Sequence, residues 1–525
     1  MSNTSQGYTR KDFLRLSAAT AISFGFAGIE TSCSTLPVSK LPALDRNKGI
    51  LIRNCNIVDV EQAKILPSKT ITIIGGEIKA VTDAVNAPSG DFEIVDANGR
   101  FVIPGLIDGH CHTTLPCMNG WYPSLLSDIM IQIKRNYTQQ VYAGVTTVRD
   151  CGAAPILLAR NIKNIEKGDF PGPRVVSSVM FMNIQNSHPD IDPHDLSFMA
   201  DLVLSIAGNP RADFVDTADL KRKLDENMHH HPAFVKLTLD NESVMCGKAG
   251  LNVYSEEHIA VMKDFAARHV LPISGHCHRR FGFERALAHG ISLEHSLGDS
   301  FITEQEAAIM AQKKMTIVPT ITVGQLLAHE EAYDTVPKEL LTDFVVEELK
   351  HRRQFLYQEA LRYCQPAVHK VNMDILKRYR EVPCDKMYGR NILLTKTWLY
   401  MGVLKHAPSN LKKMKEAGVL IGCGTDAGVG FVYHGTVWRE MEILVRAGFS
   451  PAEALRCATI NNAKILRMEN VIGSLKPGKY ADAVVLEKNP LEDITACRNP
   501  LLVFKGGRMM FAAHGVTKEG AVIVV

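Results

Sequence analysis

A chain of 525 residues is too long for one simple core, and 46% hydrophobic with 22% charged content is the balance of an ordinary globular protein. Lys+Arg 59 against Asp+Glu 56 leaves a formal net charge of +3, which gives no basis for nucleic acid or an anionic membrane surface as a partner. Twelve cysteines without a CxxC pair or regular spacing argue against a disulfide framework; Cys111, Cys277 and Cys423 lie in apolar strands and read as buried thiols.

Residues 1–36 read as an export signal, with a disordered tail as the alternative. Arg10-Lys11-Asp12-Phe13-Leu14 precedes a short apolar stretch rich in Ala, Ser and Gly, with small residues around Ser32-Cys33-Ser34. The stretch is too short for a convincing membrane span. It resembles a twin-arginine signal in which Lys11 replaces the second arginine. Cys33 is a candidate lipid-anchor site, although Glu30 stands where that pattern wants an aliphatic residue. An exported protein, periplasmic or membrane-anchored, is expected; a cytoplasmic one is the alternative.

Residues 46–103 break into short strands, among them Ile50 to Val58 and Thr70 to Ile74, with Gly75-Gly76 as a hairpin signal. Residues 470–525 have the same character. The two ends predict one small split β-sandwich domain.

Between them, residues 104–469 alternate strand and helix, which predicts βα units around a parallel sheet. Eight strands are expected: one ending at His112, then Val145–Asp150, Arg174–Val179, Phe234–Leu239, Leu271–His276, Ile291–His295, Thr316–Thr320 and Val419–Asp426. Glu256 to His269 reads as a helix opened by Ser255. The fold class is α/β, a (β/α)8 TIM-like barrel, whose catalytic groups belong at the C-terminal strand ends. The segment from about 325 to 415 predicts inserted helices, either a lid or a surface elaboration, since structureless loops of that length are rare.

The chemistry concentrates at those strand ends. In Asp108-Gly109-His110-Cys111-His112, strand alternation points both imidazoles the same way, which suits a divalent transition metal. Lys236 lies alone in Phe234-Val235-Lys236-Leu237; it faces a carboxylate or a strand end, or is carbamylated so that two oxygens bridge two metals. His276 and His295 supply further imidazoles, and Asp426 a carboxylate beside small residues. His278 shares the face of His276, and either touches substrate or caps its strand. His434 and His188 are weaker candidates for substrate contact. Arg149 either holds an anionic group or anchors the site from behind.

In the order His-x-His, Lys, His, His, Asp on strands one, four, five, six and eight, these residues resemble the amidohydrolase superfamily over about 50–510. Gly473 to Asp482 is similar to the family's return to its small domain, and Lys236 resembles the two-metal members. Tyr142 to Asp150 and His434-Gly435 are closest to the imidazolonepropionase-related and prolidase-like peptidases. The resemblance implies one metal on His110, His112, carboxylated Lys236 and Asp426. A second would sit on His276, His295 and the other carbamate oxygen, with a bridging hydroxide as nucleophile. Zinc is the expected metal, and Asp426 the general base and then acid. The implied reaction is hydrolysis of a C–N amide bond in a dipeptide, N-acyl amino acid or cyclic amide. A lactone or carbamate hydrolase is the alternative, as is a non-catalytic binding protein on the same scaffold. A small-molecule substrate and a homo-oligomer are expected.

Overall fold

The computed structural model describes residues 48–83, 90–118, 123–189, 206–243, 249–332, 335–378 and 398–513. The export-signal reading and Cys33 therefore lie outside the described residues.

The small domain begins with β1 (Gly49–Asp59), β2 (Lys64–Ile74), β3 (Glu77–Asp83), β4 (Phe92–Asp96) and β5 (Phe101–Pro104). Gly75 and Gly76 make the β2–β3 turn with φ of 61° and 84°, a left-handed pair that glycine adopts without strain. The barrel region follows with β6 (Leu106–Cys111), β7 (Val145–Asp150), β8 (Arg174–Ser177), β9 (Phe181–Ile184) and β10 (Arg211–Phe214). It continues with β11 (Val235–Thr238), β12 (Ile273–His276), β13 (Ser292–Glu294), β14 (Thr316–Val318) and β15 (Leu420–Ile421). β16 (Ala483–Leu486), β17 (Leu502–Lys505) and β18 (Arg508–Ala512) return to the small domain.

Both chain ends share one sheet, ordered β18-β17-β16-β5-β1-β2-β3, with β4 against β1. The expected sandwich is thus built from a single sheet. Its edge strand β3 and the β2–β3 turn reach the segment that precedes β16, where Ile78 N donates to Lys479 O and Ala481 N to Gly76 O. The enclosed core mixes Ile52, Ile71 and Ile73 from one half with Val485, Leu502 and Phe504 from the other.

The barrel runs β6-β7-β8 and then β11-β12-β13-β14-β15, all parallel. Ala233 N to Ser177 O, 2.8 Å, links the two arcs. The ring closes where Gly109 N reaches Cys423 O and His112 N reaches Ala427 O, at 2.8 and 2.7 Å. Asn462 fastens this seam: its Nδ2 donates to both Ile107 O and Cys423 O at 2.7 Å, and its Oδ1 accepts from Cys423 N. Glycines allow the approach; a β-carbon on Gly109 would lie 2.6 Å from Asn462 Oδ1. The expected third strand is shorter than its sequence suggested. It stops at Ser177, and the chain turns at Val179 (φ 59°) into β9, which pairs with the unexpected β10.

Helices α1 (Leu126–Tyr142), α2 (Pro155–Lys167), α3 (Thr217–Met228), α4 (Glu256–Arg268), α5 (Arg280–His289) and α6 (Glu304–Gln312) alternate with the strands. α4 shows why: Ser255 Oγ accepts from His258 N while His258 Nδ1 accepts from Ser255 N, and Ile259, Met262, Phe265 and Ala266 form its buried stripe. The insertion is helical where described: α7 (Ile321–Leu326), α8 (Asp343–Gln354), α9 (Pro366–Arg378) and α10 (Leu399–Glu416). α10 seats closely on the loop after β13. A β-carbon on Gly402 would fall 1.8 Å from Gly298 O, and one on Gly298 would fall 2.4 Å from Leu399 O.

Candidate metal centre and active site

All of β6 is buried, and it delivers His110 and His112 on one face. Each ring is fixed through Nδ1. His110 Nδ1 lies 2.7 Å from Glu294 Oε2, and His112 Nδ1 lies 2.9 Å from Gly152 O. Both Nε2 atoms are thereby aimed at Asp426 Oδ1, at 3.3 and 3.2 Å. His295 is oriented in the same manner by Thr320 Oγ1, 2.8 Å from its Nδ1. Its ring centroid is 4.5 Å from those of His110 and His276.

Three strand ends depart from extended geometry to achieve this. His295, Thr320 and Asp426 have φ of 77°, 46° and 59°, in the left-handed region that non-glycine residues seldom occupy. Such conformations persist where surrounding contacts enforce them, and they gather at functional sites. At His295 the effect is direct. Simple alternation would send Glu294 and His295 to opposite faces, whereas here both side chains reach His110.

Among the buried polar atoms without a hydrogen-bond partner, four converge here: His110 Nε2, Lys236 Nζ, His276 Nε2 and Asp426 Oδ1. Stranding such atoms is costly, and these four belong to residues expected to hold metal. The ligand atoms of His110, His295 and Asp426 lie within 4.8 Å of one another, as do those of His276, His278 and His295. Lys236 is 4% exposed, and its charge acts on Glu294, His110, His276 and His295. Burial, reinforced by neighbouring histidines, pushes His276 and His295 well below the usual imidazole range. Both are therefore neutral and have a lone pair to offer a cation. Burial alone would raise Asp426, but His110 and His112 outweigh it and hold the carboxylate well below its usual range. The donor set fits divalent metal.

The other sequence candidates divide. His278 belongs to the cluster: its ring stacks on His295 at 4.5 Å, and Nδ1 is 3.0 Å from Ser296 O. Burial lowers its pKa to about 4. His188 stacks on His276 at 4.1 Å, with its pKa lowered by burial to about 3. His434 is fully buried, with Nδ1 accepting from Gln140 Nε2 at 3.1 Å. It lies beside His112, whose backbone and charge act on it, and burial lowers its pKa to about 3. Arg149 has the anchoring place of its two expected ones. Its guanidinium is committed to Glu294 Oε1 at 2.6 Å, Ser274 Oγ at 2.9 Å and Gly109 O at 3.2 Å, and stacks on Phe234.

Sequence reasoning overlooked four participants. Glu294 and Thr320 orient His110 and His295. Asp240 accepts from His278 N at 2.8 Å and stands 3.7 Å from His276 Nε2. Tyr400, from the insertion, packs edge-on against His278 at 5.6 Å. The one available signal was Glu294 itself, an acid inside an apolar strand beside a candidate ligand.

Residues 101–510 match the amidohydrolase family. The chain belongs to that family. It is a hydrolytic enzyme acting on carbon–nitrogen bonds, built on the (β/α)8 barrel with a β-rich domain that the family shares. Among curated proteins it is similar to ochratoxinase of Aspergillus niger, 24% identical over 483 residues, 87% of this chain and 84% of that one. Among solved structures it is similar in fold to a Xaa-Pro dipeptidase with bound methionine in the active site (TM-score 0.66, 21% identity, 89% and 100% covered). Molinate hydrolase is similar too (TM-score 0.63, 19% identity, 88% and 94% covered).

Proposed function

We propose that this amidohydrolase is a two-metal enzyme that cleaves the amide bond of a small molecule: a dipeptide, an N-acyl amino acid or a cyclic amide. The observation that carries the proposal is the convergence of four partnerless buried atoms, His110 Nε2, Lys236 Nζ, His276 Nε2 and Asp426 Oδ1, from four different strand ends. The activities of similar proteins, a dipeptidase and an ochratoxinase among them, support it.

His110, His112, His276, His295, Asp426 and a carboxylated Lys236 would hold two divalent ions, with zinc the best match to nitrogen and oxygen donors. When bound, such ions acidify water and polarise a carbonyl oxygen. The protein's own groups do the rest. Glu294 and Gly152 O fix the rings of His110 and His112, and Thr320 fixes His295. Asp426, kept ionised between His110 and His112, takes a proton from the attacking water and returns it to the departing nitrogen as the C–N bond breaks. The buried walls limit access of bulk water to these groups.

The test is metal analysis of the purified protein followed by turnover of dipeptides, N-acyl amino acids, cyclic amides, lactones and carbamates. About two ions per chain and a preference for amides are expected for this chemistry. A metal-free protein, or turnover of lactones alone, would overturn the reading. Export, with anchoring at Cys33 as one form, is part of the same proposal and rests on the Arg10 to Cys33 pattern. Fractionation and the mass of the mature chain decide it. Self-association is checked by sedimentation.

A further inference from the structure

Tyr400 is a side chain that α10 brings against the histidine cluster. It is 4% exposed, its ring meets His278 at 80° and 5.6 Å, and among the described residues its hydroxyl has no hydrogen-bond partner. Its position is built in. Gly298 N donates to His278 O at 2.8 Å, so the loop after β13 is tied to the end of β12. The Gly298–Gly402 contact then locks α10 onto that loop, with Tyr400 two residues from the contact.

The chemistry of this wall is asymmetric. Ser296 O accepts the Nδ1 proton of His278, so the opposite nitrogen of that neutral ring carries a lone pair. Burial raises the Tyr400 phenol, and the charge of Asp426 raises it further, so it stays protonated throughout the working range. Tyr400 therefore brings a proton to donate where its neighbour His278 presents a lone pair.

We propose that Tyr400 is a catalytic residue of the hydrolysis: its hydroxyl hydrogen-bonds the oxygen of the scissile carbonyl as that oxygen becomes anionic. When water oxygen adds to the carbonyl carbon, the π pair moves onto the carbonyl oxygen. The Tyr400 O–H then stabilises that charge without transferring its proton. When the C–N bond breaks, the pair returns to the carbonyl and the amine leaves with the proton from Asp426. Removing one such donor typically lowers kcat about 100- to 1000-fold. The inference rests on the amide-hydrolase reading. It assigns the insertion a part in the chemistry.

The experiment compares wild type with Tyr400→Phe, which keeps the ring and its packing. The probes are the best N-acyl amino acid substrate from the panel and its phosphonamidate counterpart, whose tetrahedral phosphorus replaces the planar carbonyl. The expected result is a fall in kcat of about 100-fold or more, with KM, melting temperature and metal content unchanged. Affinity for the phosphonamidate should weaken far more than affinity for substrate. A kcat within twofold of wild type overturns the inference, and so does a loss that tracks lost metal or lost stability. Gly402→Ala is the second variant: with Tyr400 intact but α10 pushed from Gly298, it should lose kcat in the same direction, and full activity there counts against the proposal. Wild type that hydrolyses no amide defeats the underlying reading instead, and this inference with it.

Discussion

The imidazole of His110 donates through Nδ1 to Glu294 Oε2 at 2.7 Å, while Glu294 Oε1 takes Arg149 at 2.6 Å. Glu294 is 1% exposed. Burial would raise its carboxyl, yet Arg149, Lys236 and His110 hold it well below the usual range. Glu294→Ala should cost about 3–5 kcal/mol in stability, because it strands a buried guanidinium. It should also weaken metal binding about 10- to 100-fold, because His110 loses its orienting acceptor. Thermal melts and zinc titration read the two effects separately; unchanged zinc affinity would show that Glu294 does not position His110.

Lys236→Met keeps the apolar stem and removes the partnerless Nζ. Metal-free, the variant should be more stable than metal-free wild type by about 1–3 kcal/mol, the usual penalty of a buried unsatisfied polar group. Loaded, it should bind fewer ions and lose turnover. Denaturant melts with and without chelator decide this, and a metal-free variant less stable than wild type contradicts it.

Asp426→Asn preserves shape and leaves His110 and His112 beside a neutral amide. Loss of the acid and base should lower kcat by about 100- to 10000-fold. Circular dichroism should show the fold intact. Full activity in this variant would remove Asp426 from its role.

Glu440 gives a pH dependence away from the metal ligands. It accepts from Ile321 N at 2.8 Å, and from Thr322 N and Oγ1 at 2.6 and 2.7 Å. Burial nevertheless pushes its carboxyl from 4.5 up to about 7. The folded state therefore binds the proton more tightly than the unfolded one. Its contribution is fully present below pH about 4.5 and is lost as pH rises through about 7, a change on the order of 3 kcal/mol. Unfolding of the chelated protein across that window, compared with Glu440→Met, should show the slope in wild type only.

The barrel and the clustering of the candidate site residues were legible because they follow two simple periodicities. Strand alternation placed His110 and His112 together, and helical spacing read out the stripe of α4 from Ile259 to Ala266. Glu294 was not legible as a partner of His110 because alternation assigns it the face opposite His295, and only the left-handed turn at His295 cancels that. Asp240 and Tyr400 reach the cluster through contacts remote in sequence, His278 N for one and the Gly298–Gly402 approach behind the other. No local pattern records those. Arg149 was legible as a charged group in strand two, but its direction depends on Glu294, four strands away around the barrel.

β5 runs straight into the first barrel strand through Gly105, yet its antiparallel partner β16 is made only after every barrel strand. A ribosome therefore extrudes the entire barrel before the sheet that braces its entry can zip up. Until β16 to β18 emerge, the hydrogen-bonding edge of β5 is open. Strand exchange between nascent copies, or capture by a chaperone, would compete for it during that interval.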